Sequence, residues 1–210
     1  MQQEVIIVGG GMVGLSLALM LAKQNIAVKL LEAIKYPNYD DENLAPYHSS
    51  FDARNSALSR RTVQIYQELG LWNALQEHAT PILEVNITEQ GSFGKARLKA
   101  EQEKVESFGQ VIENAWLGRV LLTEVQKQPF IELIDGVQVT QLTQDADMAY
   151  IDASRGEEQL SLQAKLVIAA DGRDSFCRKA LGIGASEHDY DQVAIVTTVQ
   201  TSKPHNHVGF

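Results

Sequence analysis

A single cysteine, Cys177, stands among 210 residues, which excludes an internal disulfide and fits a reducing compartment. It follows Phe176 at the start of an expected helix and reads as a small core residue. Basic residues are also scarce: 18 Lys and Arg against 27 Asp and Glu give a net charge of −9. With no basic run anywhere, nucleic acid is not an expected partner. No apolar run approaches the length needed to span a bilayer, and Leu15 to Leu21 belongs to an amphipathic helix. Neither an internal repeat nor a low-complexity tract is present. His188, His205 and His207 lack companion ligands at metal-binding spacing, so no metal is expected. The first expected strand begins almost at Met1 and leaves no room for a signal peptide. A cytoplasmic protein, at most peripheral to a membrane, is the expectation. The hydrophobic content of 44% and charged content of 21% are ordinary for a soluble globular chain. The length allows one sizeable domain, or one domain plus part of another.

What is there begins with Glu4 to Glu32, EVIIVGGGMVGLSLALMLAKQNIAVKLLE. Glu4 to Val8 is a short β-branched run, as in a buried parallel strand. Gly9, Gly11 and Gly14 fall at the G-x-G-x-x-G spacing before an apolar-periodic helix, Met12 to Lys23. Gly9 permits a tight turn, Gly11 lets a diphosphate approach the backbone, and Gly14 lets helix and strand pack closely. The helix N-terminus carries free N–H groups and about half a positive charge, which attracts a diphosphate without a basic side chain. A second strand, Ala27 to Leu31, ends in Glu32, 18 residues beyond Gly14, where an acid can take both hydroxyls of an adenosine ribose. The order of strand, turn, helix, strand and acid makes this a dinucleotide site. The fingerprint does not choose between FAD and NAD, but a carboxylate at 32 disfavours a 2′-phosphate.

Lys35 to Ser50 turns polar, with Pro37, Asn38, Asp40, Asp41, Asn43 and Pro46, and reads as a long surface loop. Helices are expected over Ser59 to Leu69 and Trp72 to His78, and again over Trp116 to Lys127. Strands are expected over Ile82 to Glu89 and Lys95 to Ala100, flanking a turn at Gln90 to Gly94, and over Gln110 to Glu113. Four more follow in quick succession, Ile131 to Ile134, Val137 to Leu142, Met148 to Ala153 and Gln159 to Leu162. Their close spacing predicts an antiparallel meander inserted into a parallel-sheet domain. Leu166 to Ala170 is apolar throughout, like a buried parallel strand, and delivers Asp171 and Gly172 to its carboxyl end. A short helix from Asp174 to Ala180 follows, capped by Asp174 or Ser175. The same residues also make an ordinary capped strand-to-helix turn. Gln192 to Gln200 alternates and is expected to be a strand.

The glycine motif paired with ADGRDSFCR (170–178) resembles the flavin-dependent aromatic hydroxylases, the single-component class A monooxygenases. FDARNSALS (51–59) and VIENAWLGRVLL (111–122) resemble, within that group, the hydroxylases of ubiquinone biosynthesis. The resemblance extends over essentially the whole chain. It implies an α/β fold: a Rossmann-like FAD-binding domain with a parallel sheet and inserted antiparallel β-meander, plus the beginning of a β-rich substrate domain. The corresponding boundaries are 1–80 and 110–184 for the FAD-binding domain, and 81–109 and 185–210 for an incomplete substrate domain.

The resemblance also implies roles. Gly9, Gly11, Met12 and Gly14 line the FAD diphosphate, and Glu32 holds the adenosine ribose. Arg54 lies beside the flavin, Arg119 reaches the FAD phosphates, and Asn114 sits near the same edge. Val139 meets the adenine through its backbone. Asp171 and Gly172 form a second motif associated with FAD and with the nicotinamide cofactor. The implied activity is NAD(P)H-driven hydroxylation of a polyprenylated phenol by molecular oxygen. It brings possible peripheral contact with the inner membrane, or with other ubiquinone-biosynthesis proteins. No side chain is nominated as an acid or base. Competing plain readings are a surface position for Arg119, solvated helix charge for Arg60 and Arg61, and a loop residue for His48. The family's third motif, a Gly-Asp followed by Ala and a Pro-containing loop, has no match here. A truncated or engineered piece, lacking the substrate pocket and half of the flavin seat, is therefore expected. The alternatives are a non-catalytic ADP- or FAD-binding module and an NAD-dependent dehydrogenase.

Overall fold

The computed structural model describes residues 5–36, 51–89, 91, 93–197, 199 and 202–209. Most of the expected polar loop, with Pro37 to Pro46 and His48, lies outside the described residues, as do Gln90 and Ser92 of the expected turn. In chain order the elements are β1 (Val5–Val8), α1 (Met12–Lys23), β2 (Val28–Leu31), β3 (Asn55–Ser59), α2 (Arg60–Glu68) and α3 (Trp72–Leu75). A 3₁₀ turn, Gln76–His78, leads to β4 (Ala79–Pro81), β5 (Glu84–Thr88), β6 (Lys95–Lys99), β7 (Gly109–Glu113) and α4 (Asn114–Lys127). Then come β8 (Ile131–Ile134), β9 (Gln138–Gln144), β10 (Ala149–Arg155), β11 (Glu158–Ala164), β12 (Leu166–Ala169), α5 (Phe176–Ala180) and β13 (Val208–Gly209). The chain forms two compact units, residues 1–52 with 118–192, and residues 53–117 with 193–210.

In the first unit, β12, β1, β2 and β8 form a parallel sheet in that order. Side chains alternate along β1, so Ile6 and Val8 join one cluster while Ile7 faces Gly14 of α1. Both faces are covered, which is why VIIV is apolar without alternation. The cluster on the first face adds Leu31, Val139, Leu142, Ile151, Ala153 and Cys177, drawn from β2, the antiparallel sheet β11–β10–β9 and α5. Ile6 and Ile151 are fully buried, each worth about 1.5–3 kcal/mol.

The structure corrects three expectations here. Ile131 to Ile134 pairs in parallel with β2, so the meander has three strands rather than four. Spacing along the chain cannot distinguish a hairpin neighbour from a strand that returns to the central sheet. Leu166–Ala169 is parallel as expected but lies at the sheet's edge among the described residues, and Leu166 is 52% exposed. Within Gln192 to Gln200 the described residues form no strand, and Val193, Ile195, Val196 and Val199 are exposed. Alternation proposes a strand, but a ladder needs a partner's N–H and C=O groups.

The second unit holds two small sheets, β3–β7–β4 and β13–β5–β6. β7 is antiparallel to both β3 and β4, with Ala57 opposite Val111 on one side and Thr80 opposite Val111 on the other. Ser59 caps α2, its Oγ accepting the Thr62 N–H at 3.2 Å. Arg60 and Arg61 open that helix on its solvated side, and Arg61 pairs with Glu68 at 3.2 Å. The Trp116 ring stacks on His78 with centroids 3.9 Å apart, and its Nε1–H donates to the Ala74 carbonyl.

Candidate nucleotide site

All four strands of the parallel sheet end in one row, with Ala169, Val8, Leu31 and Ile134 side by side. The segments that follow them carry Asp171, Gly9, Glu32 and Asp135. From β1 the chain passes through α1 to β2 on one side, while β12 arrives on the other. The β1–β12 boundary is therefore a topological switch point, where open α/β sheets bind ligands beyond their strand ends.

Gly9 occupies that boundary. Its φ is +105°, and a Cβ there would fall on the Ala170 carbonyl. The Gly9 N–H donates to Leu31 O at 2.8 Å while Ala170 N–H donates to Val8 O at 2.7 Å, stitching the three strand ends together. A Cβ on Gly14 would fall on the Gly9 carbonyl, so the first turn of α1 lies directly against the loop. Gly11, the N-cap of α1, has an ordinary φ of −66° and brings no capping side chain. No acid lies in the first turn, which leaves the helix terminus to attract an anion.

Glu32 is buried, 7% exposed. Its Oε2 accepts the Gly10 N–H at 2.5 Å and its Oε1 accepts the Ile34 N–H at 2.8 Å. These two bonds fix the orientation of the carboxylate at the end of β2. Val139 is buried in the cluster that contains Val8 and Leu31. A β-bulge falls beside it, because Asp152 pairs with Gln141 and Ala153 with Val139. The extra residue, Thr140, donates its hydroxyl to the Asp152 carbonyl at 3.1 Å. Bulges of this kind re-aim an edge strand near a site.

Asp171 serves its own helix as well as the strand end. Its Oδ1 accepts Ser175 Oγ–H at 2.6 Å and its Oδ2 accepts the Cys177 N–H at 3.0 Å. Ser175, not Asp174, is the N-cap of α5, its Oγ accepting the Arg178 N–H at 3.0 Å. Partial burial pushes the Asp171 carboxyl up, but the bonds from Ser175 and Cys177 outweigh it and hold the pKa below the ordinary 3.8. Burial, then the Asp171 charge, pushes the Cys177 thiol up to about 12. Gly172 has a φ of +81° with nothing near its Cβ position, so its backbone alone requires glycine.

In the second unit Arg54 and Asn114 come together at the end of the β3–β7 ladder. The Asn114 N–H donates to Arg54 O at 2.8 Å, and Ser56 Oγ–H donates to Asn114 Oδ1 at 2.6 Å. Asn114 is buried and Arg54 exposed. The helix expected from Trp116 begins two residues earlier, at Asn114, which places the exposed Arg119 in its second turn. In the first unit Gly118 of that helix meets the buried Phe51 ring. The sequence reading missed Gly10, Tyr36, Phe51 and Gly118 as structural partners. The run of three glycines was the one local signal for Gly10.

The chain is similar to known proteins over nearly its whole length. A family described as FAD binding domain matches residues 2–209. The ubiquinone hydroxylase UbiL of Rhodospirillum rubrum is 32% identical over 202 residues, 96% of this chain and 44% of that protein. The 3-demethoxyubiquinol 3-hydroxylase of Escherichia coli is 32% identical over 199 residues, 94% of this chain and 48% of that protein. The chain thus spans about half the length of these curated relatives. Among solved structures, the OxyS anhydrotetracycline hydroxylase of Streptomyces rimosus aligns over 90% of this chain and 36% of its own, with TM-score 0.73 and 23% identity. The p-nitrophenol 4-monooxygenase PnpA of Pseudomonas putida aligns over 86% of this chain and 44% of its own, with TM-score 0.69 and 23% identity. Those likenesses establish the fold, Rossmann-like with a parallel sheet. With the glycine loop, the acid after β2 and residues 2–209 all inside one family match, the chain belongs to the FAD binding domain family.

Proposed function

We propose that this chain supplies the ADP-holding part of a FAD-dependent, NAD(P)H-using monooxygenase that hydroxylates a polyprenylated phenol in ubiquinone biosynthesis. The observation that carries the reading is the row of strand ends bearing Gly9, Glu32 and Asp171 at the switch point of the sheet. The substrate class is supported by the names of two relatives, a ubiquinone hydroxylase and a 3-demethoxyubiquinol 3-hydroxylase. The domain reading keeps residues 1–80 and 110–184 with the flavin, and 81–109 and 185–210 with the substrate.

The residues present fit the ADP half of FAD. Gly9 and Gly14 let the loop, the end of β12 and the first turn of α1 pack backbone to backbone with no side chain between them, and that first turn is free of acids. Gly9, Gly11, Met12 and Gly14 would hold the diphosphate, Glu32 the ribose hydroxyls, and the Val139 backbone the adenine. Arg119 would reach the phosphates, while Arg54 and Asn114 would serve the flavin edge. Asp171 and Gly172 would serve both FAD and NAD(P)H. When bound, FAD supplies the hydride and oxygen chemistry that no side chain here provides. The chain's own part is to orient the cofactor and keep water from it. Membrane contact follows from a lipidic substrate; no helix among the described residues is long and apolar enough to cross a membrane.

The test is the visible absorbance of the purified protein, with an FAD titration followed by flavin fluorescence. Saturable FAD binding, with NAD(P)H oxidation stimulated by a polyprenylated phenol, supports the reading. Binding of ADP without the isoalloxazine end would favour a non-catalytic module. Binding of neither would remove the nucleotide reading. The dehydrogenase alternative is disfavoured by the match to an FAD-binding family over residues 2–209.

A further inference from the structure

Gly10 is held at both of its main-chain groups. Its N–H donates to Glu32 Oε2 at 2.5 Å, and its carbonyl accepts the Tyr36 hydroxyl at 2.5 Å. Tyr36 is itself 7% exposed, and its main-chain N–H donates to Asp135 Oδ2 at 2.8 Å. A Cβ on Gly10 would fall on the Tyr36 hydroxyl, so with tyrosine at 36 the loop has room only for glycine at 10. Gly10 follows β1, Glu32 and Tyr36 follow β2, and Asp135 follows β8, three neighbouring strands of the sheet.

The hydroxyl matters beyond packing because peptide planes are rigid. The described backbone has no cis peptide bond, so the Gly10 carbonyl and the Gly11 N–H point in opposite directions across one plane. Fixing the carbonyl on Tyr36 therefore turns the Gly11 N–H away from Tyr36. Without the hydroxyl that plane is held only by its neighbours, in a loop of three successive glycines with wide conformational freedom.

We propose that Tyr36 is a positioning residue of the nucleotide site, its hydroxyl locking the Gly10–Gly11 peptide so that the Gly11 N–H is presented to a diphosphate oxygen. This rests on the nucleotide reading above. The hydroxyl acts through Gly10, so its removal should weaken phosphate binding while sparing the nucleoside.

The experiment compares wild type and Tyr36→Phe for adenosine, AMP and ADP, by NMR titration of the whole protein, with thermal unfolding as a check on folding. The expected result is an ADP affinity lowered about tenfold, equivalent to about 1.4 kcal/mol, and an adenosine affinity within about twofold of wild type. An unchanged ADP affinity overturns the proposal, and so does an equal loss for adenosine and ADP, which marks a merely structural role. Asp135→Ala, which frees the Tyr36 backbone but keeps the hydroxyl, provides a second variant should Tyr36→Phe fold poorly. It should show the same ADP-selective loss at smaller size, and equal losses there also overturn the proposal. If the wild type binds no ADP at all, the nucleotide reading fails first and takes the role of Tyr36 with it.

Discussion

Gly118 lies against the ring of Phe51, and a Cβ at 118 would overlap three of the ring's carbon atoms. Phe51 is 3% exposed, so its ring has little room to retreat. The match joins two segments 67 positions apart, FDAR and AWLGR, each recognisable in sequence without any sign that they meet.

Gly118→Ala should therefore destabilise the protein by about 1–3 kcal/mol through overpacking, despite alanine's better helix propensity. Urea denaturation measures it. Combining Gly118→Ala with Phe51→Leu should recover part of the loss, and strictly additive losses would show that the two residues do not interact.

Gly9→Ala meets two obstacles, a φ of +105° and the Ala170 carbonyl. The backbone strain alone should exceed about 1 kcal/mol. Because the shift needed is in the loop itself, FAD and ADP titrations should show a larger relative loss for this variant than for Gly172→Ala. Gly172 shares the positive φ but has nothing near its Cβ position. Equal losses would count against a close approach at Gly9.

Asp171 yields a pH dependence. Its carboxyl titrates below 3.8 in the folded chain, so near and below that pH the unfolded chain binds a proton that the folded chain refuses. The stabilisation is present above the unfolded value and is lost as pH falls through the folded pKa. The gap in urea midpoint between wild type and Asp171→Asn should thus stay level from neutral pH to about pH 5 and close below it. A gap that widens in acid would contradict the bonds from Ser175 and Cys177.

Cys177 is fully buried and its thiol is pushed up to about 12. Thiolate is the reacting species, so iodoacetamide at pH 8 should leave the folded protein unmodified and label it in urea. Above the ordinary 9.0, the unfolded chain loses a proton that the folded chain retains, and stability should fall as pH rises toward 12. Rapid labelling of the folded protein would show that the site opens.

The stretch from β1 to Glu32 was legible from residues alone because its pattern is local. An apolar run, glycines at fixed spacing, a 3.6-residue period and a terminal acid fix strand, turn, helix and strand between neighbours in the chain. The helix Met12–Lys23 falls where its periodicity places it. A cap at Asp174 or Ser175, resolved by the structure as Ser175, and α2 after Ser59 were legible for the same reason.

Tertiary structure alone decided the rest, where a residue's environment is supplied by distant chain. It assigned Ile131–Ile134 to the parallel sheet rather than the meander, since β2 offered an edge 103 positions away in register. It denied a ladder to the described part of Gln192 to Gln200 despite their alternation. It set Gly118 against Phe51 and brought the Tyr36 hydroxyl to Gly10 across 26 positions. Periodicity records which face a residue shows, but a hydrogen bond or a van der Waals fit depends on what arrives opposite it, and only the folded chain brings that partner into place.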